Sequence, residues 1–129
     1  MTLDPVFGIL IACGAGGTMV ELLRDVLVRV TPLMTADARE MLRSLRSFPL
    51  FEGYRGRAPQ DAGALEELSI RVSQMVEAIP QLSEIDLNPV LVSKQGYVVI
   101  DTRMKITPSK PLPPRARERA RGISRCRCC

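Results

Sequence analysis

The sequence predicts a fold of the α/β class, an α+β sandwich in which a mixed sheet carries two helices on one face. Three observations lead there. Apolar, β-branched runs occupy both ends of the first hundred residues. Two stretches with helical spacing stand between them, and Gly or Pro punctuates most junctions.

Val6 to Cys13 is continuously apolar, the pattern of a strand buried in a sheet. The glycines of Gly14–Gly17 break it. A short extended segment is expected around Met19 to Leu22, with a turn near Arg24 and Asp25 and a strand from Val26 to Val30. Thr35 is placed to cap a helix whose first turn holds Asp37 and whose apolar face is Ala38, Met41, Leu42 and Leu45; Pro49 closes it. A loop follows from Leu50 to Asp61. Asp61 caps a second helix, in which Leu65, Leu68, Val72, Met75, Val76 and Ile79 recur at helical spacing up to Pro80. Ile85 to Val92 reads as a strand with Pro89 inside it or at its edge. Lys94-Gln95-Gly96 turns the chain, and Tyr97 to Asp101 returns antiparallel.

This organisation covers residues 1–106. Residues 107–129 hold four prolines from Pro108 onward, a run of arginines and no apolar periodicity, and are expected to be a disordered tail. Charge divides at nearly the same place. Residues 1–101 carry 9 basic and 13 acidic side chains, a balance of −4, whereas residues 102–129 carry 9 basic residues against Glu118 alone, a balance of +8. The basic pI therefore belongs to the tail. Aromatic content of 4 % without Trp argues against a base-stacking or carbohydrate platform. The tail lacks aromatic interleaving too, so the expectation is no sequence-specific nucleic-acid partner.

Cys13 stands alone in an apolar run, as a small buried hydrophobe would. Cys126, Cys128 and Cys129 have no fourth ligand and the chain has no His, which disfavours a structural zinc site. The apolar run from Val6 is too short to span a bilayer and no basic leader precedes it. The expected location is the cytoplasm, with no membrane attachment.

The hairpin from Ser83 to Asp101 raises the chemical question. Asp86 and Asn88 lie near the end of one strand and Asp101 ends the next, although Asp and Asn fit strand interiors poorly. Mg²⁺ is a hard ion that binds through one or two protein oxygens plus nucleotide phosphates. A turn near Lys94–Gly96 would set Asn88 across from Asp101 at one open end. The alternative is that Asp86 and Asn88 satisfy backbone groups before Pro89 and Asp101 caps a strand end. The glycine cluster at Gly14–Gly17 lacks the Lys-Ser/Thr ending of a P-loop and the spacing of a dinucleotide fingerprint, and can equally be a tight crossing. Gly53-Tyr54-Arg55-Gly56-Arg57 sets two forked cationic donors on a pliable backbone, suited to an anion. Arg55 is the first choice for a phosphate or acyl-phosphate contact and Arg57 the second, with a helix or subunit contact as its alternative. Tyr54 reads as packing.

Several local signatures occur together and in order: "DPVFG" at Asp4–Gly8, "GAGGTMVELLRDV" at Gly14–Val26, "RVTPL" at Arg29–Leu33, "GYRGR" at Gly53–Arg57, "EIDLNPVLV" at Glu84–Val92 and "VVIDTR" at Val98–Arg103. With them, residues 4 to 103 resemble the C-terminal part of the ATP-grasp domain of NDP-forming acyl-CoA synthetases, the family of the ADP-forming acetate–CoA ligase beta subunit, related to that of succinyl-CoA synthetase. The resemblance does not reach the tail. It implies Asn88 and Asp101 as the magnesium pair, with Asp86 assisting directly or through water. It places Gly16 and Gly17 beside the nucleotide cleft and lets Glu21, Asp25 and Arg29 line it, Glu21 and Arg55 as catalytic residues and Arg29, Arg55 and Arg57 on the cofactor; an ordinary salt-bridge network is the alternative for Glu21, Asp25 and Arg29. The implied cofactors are Mg²⁺ and ATP/ADP, with CoA bound by other domains. The implied partners are the N-terminal ATP-grasp half and the CoA-binding and ligase domains, in the same chain or as a separate subunit, with a homo-oligomer as a further option. The expected role is a partial module, inactive alone, of the reaction that interconverts acyl-CoA, ADP and phosphate with carboxylic acid, CoA and ATP. The competing reading is a non-catalytic truncated remnant that only folds or pairs.

Overall fold

The computed structural model describes residues 1–16 and 25–108. In chain order its elements are β1 (Thr2–Asp4), β2 (Gly8–Gly14), β3 (Val26–Val30), α1 (Thr35–Arg43), α2 (Ala62–Ala78), β4 (Leu82–Leu87), β5 (Val90–Ser93), β6 (Gly96–Val99) and β7 (Thr102–Ile106), with single 3₁₀ turns at Phe48–Leu50 and Tyr54–Gly56. Five strands form one sheet in the order β3-β2-β1-β4-β7, and β5 and β6 form a separate two-stranded sheet. Each of these ladders is antiparallel. Both helices lie on one face of the larger sheet, as expected.

Strand alternation decides which face is covered. Ile11 of β2 stands opposite Arg29 of β3, and Ile9 stands opposite Leu3 of β1. These odd-numbered positions, with Ile85 of β4, face the helices. The core there joins Ile11, Leu33, Met41, Val72, Val76, Leu82 and Ile85. The other face presents Leu10, Ala12, Val26 and Val28, with Glu84 and Asp86 of β4 across from Lys105 and Arg103 of β7.

A buried hydroxyl fixes the helices to the strand layer. Ser73 of α2 is 1 % exposed, and its Oγ accepts the Leu33 N–H at 2.9 Å. Ser73→Ala leaves that N–H buried without a partner, at a cost of about 1–3 kcal/mol. A denaturant titration should show a lower midpoint at unchanged slope.

Five boundaries differ from expectation. The strand expected over Tyr97–Asp101 is β6, which ends at Val99, and Asp101 lies between β6 and β7. Met34, not Thr35, holds the cap position of α1, and the Asp37 carboxylate reaches back to accept the Met34 N–H at 2.9 Å. The helix ends at Arg43, ahead of the 3₁₀ turn that contains Pro49. Val6 and Phe7 lie in a turn rather than in β2, because both their N–H groups donate to Asp4 Oδ1 at 2.8 Å. The strand expected over Ile85–Val92 is two strands: β4 stays in the large sheet, and β5 leaves it after Asn88-Pro89. Strands β1 and β7 were not foreseen. The Asp61 cap held, accepting the Ala64 N–H at 2.9 Å. The extended segment expected at Met19–Leu22 and the tail from Ser109 lie outside the described residues.

Candidate functional site

The site is built where one hairpin passes between two sheets. Ser93 pairs with Gly96 around Lys94 and Gln95, and the register runs back through Val90 opposite Val99. Continuing it sets Pro89 against Ile100 and Asn88 against Asp101. The backbone confirms this: Ile100 N–H donates to Pro89 O at 3.0 Å, and Asn88 N–H donates to Asp101 O at 3.1 Å. Asn88 and Asp101 thus face each other at the crossing from one sheet to the other, and both are exposed. Asp86 is one alternation back along β4, on the open face opposite Arg103.

The Asp101 carboxylate is partly engaged. Its Oδ1 accepts the Thr102 N–H at 2.9 Å, while Oδ2 lies 3.5 Å from Arg103 Nε. That contact is long and exposed, so it contributes little and leaves Oδ2 open to another cation. Arg103 is a neighbour of the site that the sequence motifs do not single out. The alternating Thr-Arg-Met-Lys-Ile of β7 was the signal that places it beside the carboxylates. Among the described residues no three His, Cys, Asp or Glu side chains gather into a metal cage. A site here rests on two carboxylates and one amide oxygen, the sparse protein share typical of Mg²⁺ bound with phosphates.

A cavity of about 520 Å³ adjoins this crossing. Asp86, Asn88 and Gly16 are among the residues that line it, and Asp101 is not. Gly14 is architectural: a Cβ there would stand 2.7 Å from Asp25 O and 2.8 Å from Val26 Cγ2. Gly16 has open space instead. Gly17 and Glu21 lie outside the described residues.

The arginines are distributed differently. Arg29 lies on the helix-covered side of β3, opposite to the side of Asp86, and its guanidinium meets Glu40 of α1 at 3.2 Å. Arg55 and Arg57 are exposed on their loop, and no described contact joins either to Asp86, Asn88 or Asp101. Arg55 has φ 53°, a left-handed backbone rare for a side-chain-bearing residue, between Gly53 at 100° and Gly56 at 76°. Its guanidinium lies 5.2 Å from the Tyr54 ring centroid. Tyr54 is itself half exposed, so its part is to brace the arginine more than to fill a core.

Asp25 is a structural anchor. It is buried, and its carboxylate accepts the N–H groups of Arg46 at 2.8 Å and Ser47 at 2.7 Å. Burial alone raises its pKa. The Ser47 side chain, the two peptide donors and the Arg46 charge together outweigh that effect, and the pKa falls below the usual range.

An ATP-grasp domain family model matches residues 1–106. The ADP-forming acetate–CoA ligase I of Archaeoglobus fulgidus is 42 % identical over 104 residues, 81 % of this chain and 15 % of that protein. The beta subunit of ADP-forming acetate–CoA ligase I from Pyrococcus furiosus is 36 % identical over 104 residues, covering 81 % of this chain and 45 % of the subunit. Among solved structures, a Ca. Korarchaeum cryptofilum acetyl-coenzyme A synthetase in complex with coenzyme A and Mg-AMPPCP has a TM-score of 0.77 at 37 % identity, over 81 % of this chain and 49 % of that one. The chain spans half or less of the length of these relatives. Among the described residues, no helix is long and apolar enough to cross a membrane. With residues 1–106 matched and the fold shared, the chain belongs to the ATP-grasp domain family, alongside the ATP-grasp domains of ADP-forming acyl-CoA ligases.

Proposed function

We propose that this chain supplies the magnesium- and phosphate-facing part of the ATP-grasp domain in an ADP-forming acyl-CoA ligase. The reaction of the whole protein converts acyl-CoA, ADP and phosphate to carboxylic acid, CoA and ATP, with adenine and CoA held by polypeptide outside this chain. A phosphohistidine relay would also come from elsewhere, since the chain has no His. The carrying observation is the direct pairing of Asn88 with Asp101 across the sheet crossing, with Asp86 beside it. Mg²⁺ or Ca²⁺ accompanies the nucleotide analogues in related structures, which supports the same pairing of ligands here.

The donors suit the ion: hard oxygens, exposed, with Asp101 Oδ2 held only by a long contact. Asp101 and Asn88 would bind Mg²⁺ and Asp86 would assist. When bound, the ion offsets charge on the nucleotide phosphates. Gly16 permits close backbone approach at the cavity wall. Arg55, held left-handed and braced on Tyr54, is the candidate to meet a phosphoryl group when the loop from Gly53 to Arg57 turns inward, with Arg57 second. Gly17, Glu21 and Arg29 remain candidates of the nucleotide cleft, Glu21 as a catalytic one; Arg29 would have to exchange Glu40 for that role.

Titration of the isolated chain with Mn²⁺, read by NMR line broadening, tests the assignment. Broadening should centre on residues 86–88 and 101–103. Broadening centred on Glu66 and Glu67 instead would contradict it. Arg103→Ala should tighten Mn²⁺ binding a few-fold, because it removes a cation that competes for Asp101, and an exposed pair of this kind is worth about 0–1 kcal/mol. Weaker binding in that variant would assign Arg103 a supporting role.

A further inference from the structure

The two outer edges of the large sheet differ in what they expose. β3 forms one edge and β7 the other. On β3, Thr31 N–H donates to Ile9 O at 2.9 Å, and Asp25 O accepts the Ala15 N–H at 3.4 Å. Leu27 stands opposite Cys13 and Arg29 opposite Ile11, so the odd positions of β3 bond to β2. Val26, Val28 and Val30 therefore turn their N–H and C=O groups outward, and no described strand pairs with them there. Their side chains stand on the face that the helices leave bare, beside Gly14, Ala12 and Leu10. Val26 is 44 % exposed and Val28 45 %. One side chain reaches this edge: Arg29 Nη1 donates to Val28 O at 3.2 Å, while its Nη2 meets Glu40. A carbonyl oxygen accepts two hydrogen bonds, so Val28 O keeps room for a second donor.

The β7 edge is guarded. Asn88 N–H donates to Asp101 O at 3.1 Å, so the odd positions bond toward β4, and Thr102, Met104 and Ile106 face outward. A second β7 laid antiparallel across Met104 would set Arg103 directly against the partner's Lys105. Like charges opposed across a ladder resist pairing, and cations on an edge strand are a common protection. The same operation on β3 meets no such obstacle. Its valines at 26, 28 and 30 are spaced symmetrically about Val28. Val28 falls opposite Val28, Val26 opposite Val30, and Leu27 opposite Arg29. The one charge, Arg29, then faces an apolar residue and is already offset by Glu40.

We infer that two copies of this chain pair edge to edge through β3, antiparallel about a two-fold axis at Val28, so that one sheet runs through both copies. Val28 exchanges backbone hydrogen bonds with Val28 of the other copy, and Val26 with Val30 on either side. The valines make β-branched cross-strand pairs and extend the row begun by Leu10 and Ala12. The symmetric spacing and the absence of opposed charge select a second copy over a strand of other chemistry. This edge is three strands away from β4, which leads into the Asn88–Asp101 crossing, so the inference is independent of the magnesium assignment.

Sedimentation of the full chain, with its thiols kept reduced, tests the pairing from about 10 µM to about 1 mM. A reversible monomer–dimer equilibrium is expected. Amide exchange at Val26, Val28 and Val30 should slow by about tenfold or more as the dimer fills. Val28→Lys brings two ammonium groups together at the axis and should weaken dimerisation by about tenfold or more. Val28→Thr, still β-branched, and Met104→Lys on the opposite edge should leave it within a few-fold. Val28 and Met104 are both exposed, so these substitutions are compatible with the fold. The exchange pattern of the unsubstituted chain decides the matter even where a variant fails to fold. A chain that stays monomeric over the whole range would overturn the inference. So would a dimer that survives Val28→Lys, one that Met104→Lys abolishes, or protection at Thr102, Met104 and Ile106 in place of the valines.

Discussion

Asp101→Asn should weaken Mg²⁺-dependent ATP binding by about 100-fold or more once this chain is assembled with the remainder of an ATP-grasp domain. Loss of groups that merely orient a metal ligand costs about 10–100-fold, and Asp101 is assigned as a ligand. The substitution preserves shape, and its amide oxygen can still accept the Thr102 N–H that Oδ1 accepts now. Asp101 is exposed, so the variant should unfold at nearly the wild-type temperature. Calorimetry with and without Mg²⁺ separates the effects: the magnesium-dependent part of the affinity disappears and the magnesium-independent part stays. An unchanged dependence on Mg²⁺ would return Asp101 to its alternative role, a strand end capping its own backbone.

Asp25→Ala should produce the largest loss of stability among the described polar residues. It strands the N–H groups of Arg46 and Ser47, each worth about 1–3 kcal/mol when buried and unpaired. A total of roughly 3–4 kcal/mol in a domain of this size lowers the melting temperature by on the order of 15 °C or more. The pH dependence follows from the lowered pKa. A carboxylate whose folded pKa lies below its unfolded value of about 3.9 stabilises fully above that value, and the contribution is lost as pH falls through the folded pKa. The gap between wild type and variant should therefore be constant near neutrality and close in acid. Asp25→Asn keeps one acceptor oxygen, so its deficit should be smaller and nearly independent of pH. Thermal unfolding from pH 7 down to pH 3 reads both. A gap that widens on acidification would contradict a charged, hydrogen-bonded Asp25.

What the sequence reveals here depends on whether a residue acts through its neighbours in the chain. The Asn88–Asp101 pairing was legible because a tight turn at Lys94–Gly96 fixes the register of everything behind it. The Asp61 cap was legible for the same local reason. The split at Asn88-Pro89 was half legible: Pro89 marked an edge, but that the chain changes sheets there depends on β7, whose residues are all exposed and carry no buried stripe. β1 is three residues long, too short for periodicity to register. Ser73 reads as a polar interruption of an apolar helix until Leu33 is placed against it, 40 residues away. The family resemblance groups Asp25 with Glu21 and Arg29 along the cleft, with an ordinary salt-bridge network as the alternative. In space Asp25 turns to the segment after α1, Arg29 to Glu40, and neither contacts the Asn88–Asp101 crossing. Both therefore serve the helix-covered side of the sheet, whereas Asp86 lies on the other face.

The central claim is that this chain brings a magnesium–phosphate surface to a nucleotide held jointly with other polypeptide. ATP affinity should be measured as a function of Mg²⁺ concentration for this chain alone and for this chain combined with the N-terminal half of an ATP-grasp domain. Tight binding only in the combination, rising with Mg²⁺, is the expected result. A folded combination whose ATP affinity does not respond to Mg²⁺ would contradict the claim.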